Sequence, residues 1–292
     1  MFSLAHLSDP HLPLPHPRLG ELISKRVTGY INWRHRRRFV HDAETLAKIV
    51  ADLKAQAPDH IAVTGDIANI ALEKEFVGGR KWLQELGSQH DVSFVPGNHD
   101  AYVRQAVRYA PQWAPYMSSD DGAAGFPYLR RRGKLALIGL STAVATPLFM
   151  ATGRLGDTQC ARLGEILATL EQEKRFRVVL IHHPPVSRAK RHKLLSDAAE
   201  FKRIIAAHGA ELVLHGHDHL HMLSWLHGPN GSRVPAVGVP SASAAFGAAK
   251  NDAAYNLYAI DGAPGAWRCE MISRGTNFAG TVMQQRRLKL FG

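Results

Sequence analysis

Five short polar blocks each stand directly behind a short apolar run, and this repeated placement constrains the chain more than any other feature. Runs rich in Val, Ile and Leu occur at Phe2–Leu7, Ile61–Thr64, Val92–Val95, Leu135–Leu140, Val178–Ile181 and Leu212–Leu214. Their length and bounding turn residues read as buried strands. SDPH follows the first run, GD the second, GNHD the third, HHPP the fifth and GHDH the sixth. Open α/β sheets build their sites at the carboxyl ends of strands, so the five blocks predict one site assembled from five loops.

Helical patterns lie between the runs, roughly at Arg38–Gln56, Leu72–Gly87, Tyr102–Tyr116, Asp157–Lys174 and Ser196–Ala207, so strand and helix alternate over most of the chain. The rhythm changes after Leu214. Met222–Leu226, Val234–Val239, Tyr255–Ile260 and Trp267–Ile272 are strand-like pieces joined by turns such as Pro229-Asn230-Gly231, which favours a mixed or antiparallel second sheet. The 292 residues, 45% hydrophobic and 21% charged, fit one large folded domain over 1–292 without a disordered half.

Cys160 and Cys269 have no paired spacing, which points away from a disulfide framework or a thiolate metal site and fits a reducing compartment. The opening MFSLAHLSDP lacks a basic leader and reads as a first strand instead of a secretory signal. The longest uncharged stretch, Leu135–Gly153, is interrupted by Ser141, Thr142, Thr146 and Pro147, so it reads as strand plus loop and not as a membrane span. Together these features predict a cytoplasmic protein.

The polar blocks have the chemistry of a metal site. Asp9 and His11 are two apart, so persisting strand geometry would project both side chains to one side. Asp66 follows Gly65, and its carboxylate can bridge two cations. Asn98 offers a neutral amide oxygen, His217 and His219 repeat the two-residue spacing, and His182 supplies a seventh donor. Imidazole with carboxylate and amide oxygen, without thiolate, suits Mn, Fe or Zn better than Ca or Mg. Two such cations can generate a hydroxide at neutral pH and stabilise the attacking and leaving oxygens of an in-line displacement, which is phosphoester hydrolysis. His99 is the candidate proton donor to the leaving oxygen, with Asp100 expected to orient or charge its ring.

In this order, DxH, GD, GNHD, HHPP and GHDH resemble the calcineurin-like metallophosphoesterase superfamily over about three quarters of the chain, Asp9 to His219. The resemblance implies an α/β fold, a four-layer αββα sandwich of two mixed β-sheets flanked by helices. It implies Asp9, His11, Asp66 and His219 on one metal, and Asp66, Asn98, His182 and His217 on the other. GNHD and HHPP are most similar to the class III cyclic nucleotide phosphodiesterase branch. The UDP-diacylglucosamine pyrophosphatases resemble the chain too, although their best-known branch has GNRD where this one has GNHD. A nuclease and a non-catalytic scaffold are the remaining alternatives; no nucleic-acid recognition module is visible, and all seven ligand positions are filled.

Lys and Arg total 36 against 25 Asp and Glu, a net +11, and such an excess favours anionic partners. Between Leu22 and His41 stand Lys25, Arg26, Arg34, Arg36, Arg37 and Arg38 with no acid. Leu19, Leu22, Ile23, Val27, Tyr30, Ile31 and Trp33 interleave with them, so Arg18–Arg38 is either a basic amphipathic insertion contacting an anionic membrane, as at an inner membrane face, or a surface helix packing its apolar face on the protein. Arg188 and Arg191, after HHPP, are candidate substrate contacts. His183, His215 and His221 read as neighbours of the ligands. The Thr142–Arg154 loop and the Pro240–Ser243 turn resemble site-flanking segments, and a basic tail is expected over 284–292.

Overall fold

The computed structural model describes all residues 1–292. The first strand, β1 (Phe2–Leu7), pairs in parallel with β2 (His60–Val63), which pairs in parallel with β3 (Val92–Phe94). On the other side of β1 the antiparallel strands β10 (Ala254–Asp261), β11 (Arg268–Thr276) and β12 (Val282–Phe291) complete a sheet of order β12-β11-β10-β1-β2-β3. The second sheet, of order β4-β5-β6-β7-β9-β8, is built from β4 (Tyr128–Arg132), β5 (Leu135–Gly139), β6 (Phe176–Leu180), β7 (Leu212–His215), β8 (Met222–His227) and β9 (Arg233–Gly238). Its interior strands β5, β6, β7 and β9 are parallel, and β4 and β8 close it antiparallel. Both sheets are therefore mixed, as expected.

The period-two alternation of a strand sends successive side chains to opposite faces, and three cores follow from it. Leu4, Ala62, Leu137, Val178, Leu180, Leu212, Leu214 and Tyr258 meet between the sheets. Ala5 and Leu7 instead face α2 (Ala43–Ala55) and α3 (Glu73–Leu86), whose Leu46, Ile49, Leu53, Phe76 and Leu83 cover the first sheet. Val179 and Val213 face α4 (Asp157–Gln172) and α5 (Ala198–His208) through Leu163, Leu167, Phe201 and Ile205. The result is helix, sheet, sheet, helix.

Several boundaries differ from expectation. The helix expected from Arg38 begins at Ala43, because the Asp42 carboxylate accepts from Thr45 N at 2.7 Å and fixes the N-cap there. Tyr102–Tyr116 is not an α-helix but two 3-10 segments, Arg104–Arg108 and Ala110–Tyr116, since Pro111 and Pro115 interrupt the α-helical hydrogen bonding. It still delivers Trp113, stacked 4.3 Å from Phe76. The strands after Leu214 are shared between the two sheets and do not form one of their own. The residues expected as a basic tail, 284–292, belong largely to the edge strand β12, where charged side chains protect an exposed edge.

The basic segment forms a 3-10 turn (Leu19–Leu22), the helix α1 (Arg26–His35) and a second turn (Arg37–Phe39). Its inner side packs: Tyr30 and Trp33 lie on Leu14, Ile70 and Leu72, and the Arg26 guanidinium donates to the carbonyls of Ile70 and Ala71. No helix is long and apolar enough to cross a membrane.

A half-buried pair ties α2 to the first sheet: Arg274 Nε and Nη2 donate to Asp52 at 2.7 and 2.8 Å, and Tyr255 Oη donates at 2.6 Å. Burial opposes the Asp52 charge, but these donors outweigh it and hold the carboxyl below its ordinary range. The pair's stabilisation is thus present above the ordinary aspartate pKa and lost as pH falls through the depressed value. Asp52→Ala is expected to cost about 1–3 kcal/mol at neutral pH, a difference from wild type that narrows in acid-titrated urea denaturation.

Candidate metal centre

Asp9 and His11 follow β1, Asp66 follows β2, Asn98 follows β3, His182 follows β6, and His217 and His219 follow β7. All seven converge at the strand ends. Five of them, Asp9, His11, Asp66, His217 and His219, have positive φ between 37° and 69°. Non-glycine residues rarely adopt this conformation, and its clustering here is strain of the kind stored at functional sites. It also corrects the geometric reason expected for the two-residue spacings: Asp9 and His11 converge through tight left-handed turns, not as alternate residues of a strand.

Asp66 occupies the middle. Its Oδ2 lies 3.9 Å from His11 Nε2 and 3.5 Å from His182 Nε2, while Oδ1 accepts from His99 N at 2.7 Å. On one side Asp9 Oδ1 is 3.1 Å from His219 Nε2 and 3.9 Å from His11 Nε2. On the other, Asn98 Oδ1 is 3.3 Å from His182 Nε2 and 2.9 Å from His217 Nδ1. The residues of the two ligand sets implied by the family resemblance therefore lie next to one another, with Asp66 between His11 and His182. Outer partners hold them: Ser8 Oγ donates to Asp9 Oδ2 at 2.6 Å, and His182 Nδ1–H donates to Thr64 O at 2.6 Å. Gly65, at φ 100°, and Gly97 let the β2 and β3 loops close on each other, and a Cβ on either would strike His182.

The donor set fits cations on two observations. His217 Nε2 is buried without a hydrogen-bond partner. A cation already lies among the rings: the Arg37 guanidinium donates to His11 Nε2 and His99 Nε2, both at 2.8 Å. Three groups of ligand atoms fall within 4.8 Å of one another: His11, His41 and His219; His182, His183 and His217; Asp9, Asp66 and His182. Burial alone would raise Asp9, yet His219 and the Ser8 hydroxyl carry it well below the carboxylate range. Burial likewise opposes protonation of His182, and the adjacent Asp66 reverses this, raising it to about 10.

His99 and Asp100 part company. His99 faces the centre, its ring stacked on Tyr102 at 5.7 Å and its Nδ1–H donated to Asn69 O at 2.6 Å. Asp100 does not orient that ring as expected. Its carboxylate turns inward and accepts from the amides of Asp66 and Gly97 at 2.8 Å and Ala68 at 2.9 Å, so it shapes the loop that carries Asp66. His183 bonds Thr142 Oγ1 and Ala151 O, anchoring the 142–154 loop; Ser241 Oγ donates to Asp9 O at 2.7 Å, which brings the Pro240–Ser243 turn against the centre. His215 is buried behind the ligands and His221 lines the cleft.

The centre forms the floor of an open cleft of about 1520 Å³, walled by Lys25, by Thr28 and Asn32 of α1, by Phe149–Ala151, and by 186–190 with His192 and Lys193. Arg188 lines it and Arg191 does not. Two residues at the centre escaped the sequence reading. Arg37 was submerged in an arginine run, and His41, its ring 4.3 Å from His11, stands far from any motif and is placed by a 2.9 Å contact between Nδ1 and Ser243 Oγ.

A two-sheet sandwich with histidine and aspartate donors gathered at the strand ends fits a phosphoesterase that works with metal ions. The chain belongs to the calcineurin-like phosphoesterase family, whose model matches residues 2–221. It is 28% identical over 177 residues to a probable cyclic nucleotide phosphodiesterase of Synechococcus sp., a match that spans 59% of this chain and 62% of that protein. The fold is similar to a dimetal phosphatase from Danio rerio (TM-score 0.62, 12% identity, 99% of this chain and 98% of that one). It is also similar to purple acid phosphatase PPD1 from yellow lupin (TM-score 0.57, 10% identity, 99% and 53%).

Proposed function

We propose that the whole chain works as one metallophosphoesterase domain that hydrolyses a phosphodiester at a dinuclear centre. The observation that carries this reading is Asp66 Oδ2 facing His11 on one side and His182 on the other. Asp9, His11, Asp66 and His219 would hold one transition-metal ion, and Asp66, Asn98, His182 and His217 the second, with Mn, Fe and Zn all suited to the donors. Bound there, two such ions would neutralise phosphoryl oxygens and acidify water.

The residues around them divide the remaining work. His99 donates Nδ1–H to Asn69 O and turns Nε2 toward the cleft, where it accepts from Arg37 and carries no proton. Burial and the Arg37 charge push the ring pKa down to about 3, so passing a proton from Nε2 to the leaving oxygen requires that Arg37 first move onto the substrate and the ring take up a proton. Arg37, 2.8 Å from that nitrogen, is placed to take a phosphoryl oxygen when substrate enters. The cleft walls carry Lys25, Arg188, Lys190, Lys193 and Lys250, which draw anions inward. The name of the Synechococcus relative supports a phosphodiester substrate. A lipid-linked diphosphate of the UDP-diacylglucosamine kind is the second reading, favoured by Phe149, Met150 and Val186 on the cleft wall. Contact of Arg18–Arg38 with an anionic membrane belongs to the same partner reading.

Leaving-group dependence tests the role of His99. His99→Ala is expected to lose about 10²-fold or more on a phosphodiester with an alkoxide leaving group, and much less on bis(p-nitrophenyl) phosphate, whose leaving group needs no proton. Equal losses on both would remove His99 from that role. A panel of cyclic nucleotides and UDP-linked lipid sugars then assigns the substrate.

A further inference from the structure

The cleft wall carries Phe149, Met150 and Val186 among its basic residues, and a second apolar face lies on the basic segment next to it. Along the outer side of the basic segment, Leu19 is 89% and Ile23 81% exposed, followed by exposed Val27 and Ile31 on α1. Beside them stands the 146–150 loop, tied to α1 by Lys25 Nζ, which donates to Thr146 O, Thr146 Oγ1 and Met150 O at 3.2, 2.9 and 3.1 Å. This loop holds Phe149 81% exposed at a φ of 62°. A bulky residue rarely adopts such a φ, and here it carries the ring away from the protein core.

Charge says what covers this face. Arg34, Arg36 and Arg38 are exposed at the end of the basic segment, Arg188, Lys190 and Lys193 are exposed on the facing wall, and Arg191 is exposed outside the cleft; none forms an ion pair with a carboxylate. Apolar side chains standing proud of unpaired arginines and lysines suit the headgroup region of an anionic bilayer, which takes the former to interfacial depth and attracts the latter.

We propose that the Leu19–Ile31 face and the Phe149 loop together seat on an anionic bilayer, and that the centre below takes its phosphoester from a lipid headgroup lying in that surface. This rests on the phosphodiesterase reading for its chemistry, but the seating is measured separately. Seated this way, the chain places the open cleft against the headgroups, so a lipid-borne phosphoryl group can reach Arg37 and the centre without the acyl chains leaving the bilayer.

Vesicle co-sedimentation tests it. Full-length protein is expected to pellet with phosphatidylcholine vesicles containing phosphatidylglycerol at least about tenfold more strongly than with phosphatidylcholine alone, and less as salt rises. The double variant L19E/I23E is expected to lose that binding about tenfold or more while hydrolysing bis(p-nitrophenyl) phosphate as wild type does. Should that variant misfold, F149E gives the same reading from the other wall. Equal pelleting with both vesicle types, equal pelleting of variant and wild type, or a self-associated species dissolved by L19E/I23E would each overturn the proposal. Failure of the phosphodiesterase reading looks different: no turnover with any metal, whatever the vesicles show.

Discussion

Asp66→Ala is expected to lower the turnover of bis(p-nitrophenyl) phosphate by about 10³-fold or more, because several kcal/mol of transition-state stabilisation by two ions depends on one side chain. In the two ligand sets proposed, Asp66 is the one side chain common to both. Its Oδ2 is 3.9 Å from His11 Nε2 and 3.5 Å from His182 Nε2, and its Oδ1 holds the His99 amide at 2.7 Å. The substitution therefore removes the shared anion and loosens the loop that presents His99. Metal content supplies a second readout, with bound metal per chain expected to fall below that of wild type. Activity within tenfold of wild type would mean that the two ligand groups do not share Asp66.

Gly97→Ala should be nearly as damaging, although it alters no donor. An added Cβ would collide with Asp66 Oδ1 and come within 2.7 Å of His182 Cε1. Both neighbours are fixed, Asp66 by the His99 amide and His182 by Thr64 O, so neither can give way without moving a ligand. A displacement near 1 Å costs about 10²-fold in rate, and overpacking costs about 1–3 kcal/mol of stability. Gly78→Ala is the control: Gly78 lies on α3 with nothing within 4 Å of its Cβ position, and alanine there should stabilise by about 0.5–1 kcal/mol and leave turnover unchanged. Loss in both variants would point to general intolerance; loss in Gly97→Ala alone, read by kcat and thermal melting, points to the β2–β3 loop contact.

The centre was largely legible in the sequence because each donor sits beside a strand whose apolar run is unmistakable. IAVTGD reads as a buried strand, a turn and a carboxylate before any coordinates. What the sequence hid was whatever depends on tertiary approach. Arg37 is one of three consecutive arginines, and only the docking of α1 through Tyr30 and Trp33 directs it inward while Arg36 and Arg38 remain exposed. His41 reaches His11 because the 240–243 turn, some two hundred residues away in the chain, bonds its ring. Asp100 misled for the opposite reason: adjacency to His99 suggested a shared task, but the loop turns its carboxylate onto three backbone amides.

Limits in the fold follow the same division. Tyr102–Tyr116 carries a helical apolar period that its two prolines override. The edge strand β12 is nearly all exposed along its middle, so it lacks the apolar alternation that marks a half-buried strand, and pairing with β11 alone defines it. The assignment of β8 and β9 to the second sheet and β10–β12 to the first rests on long-range pairing with β7 and β1, which local periodicity does not encode.

The measurement that bears most directly on the dinuclear centre is a metal titration of stripped full-length protein with Mn, Fe or Zn, following bound metal and bis(p-nitrophenyl) phosphate hydrolysis in the same samples. Turnover that rises only as occupancy approaches two ions per chain, and that stays about 10³-fold or more lower in Asp66→Ala at any metal concentration, is the predicted result. Full turnover at one ion per chain, or turnover that survives complete metal removal, would contradict it.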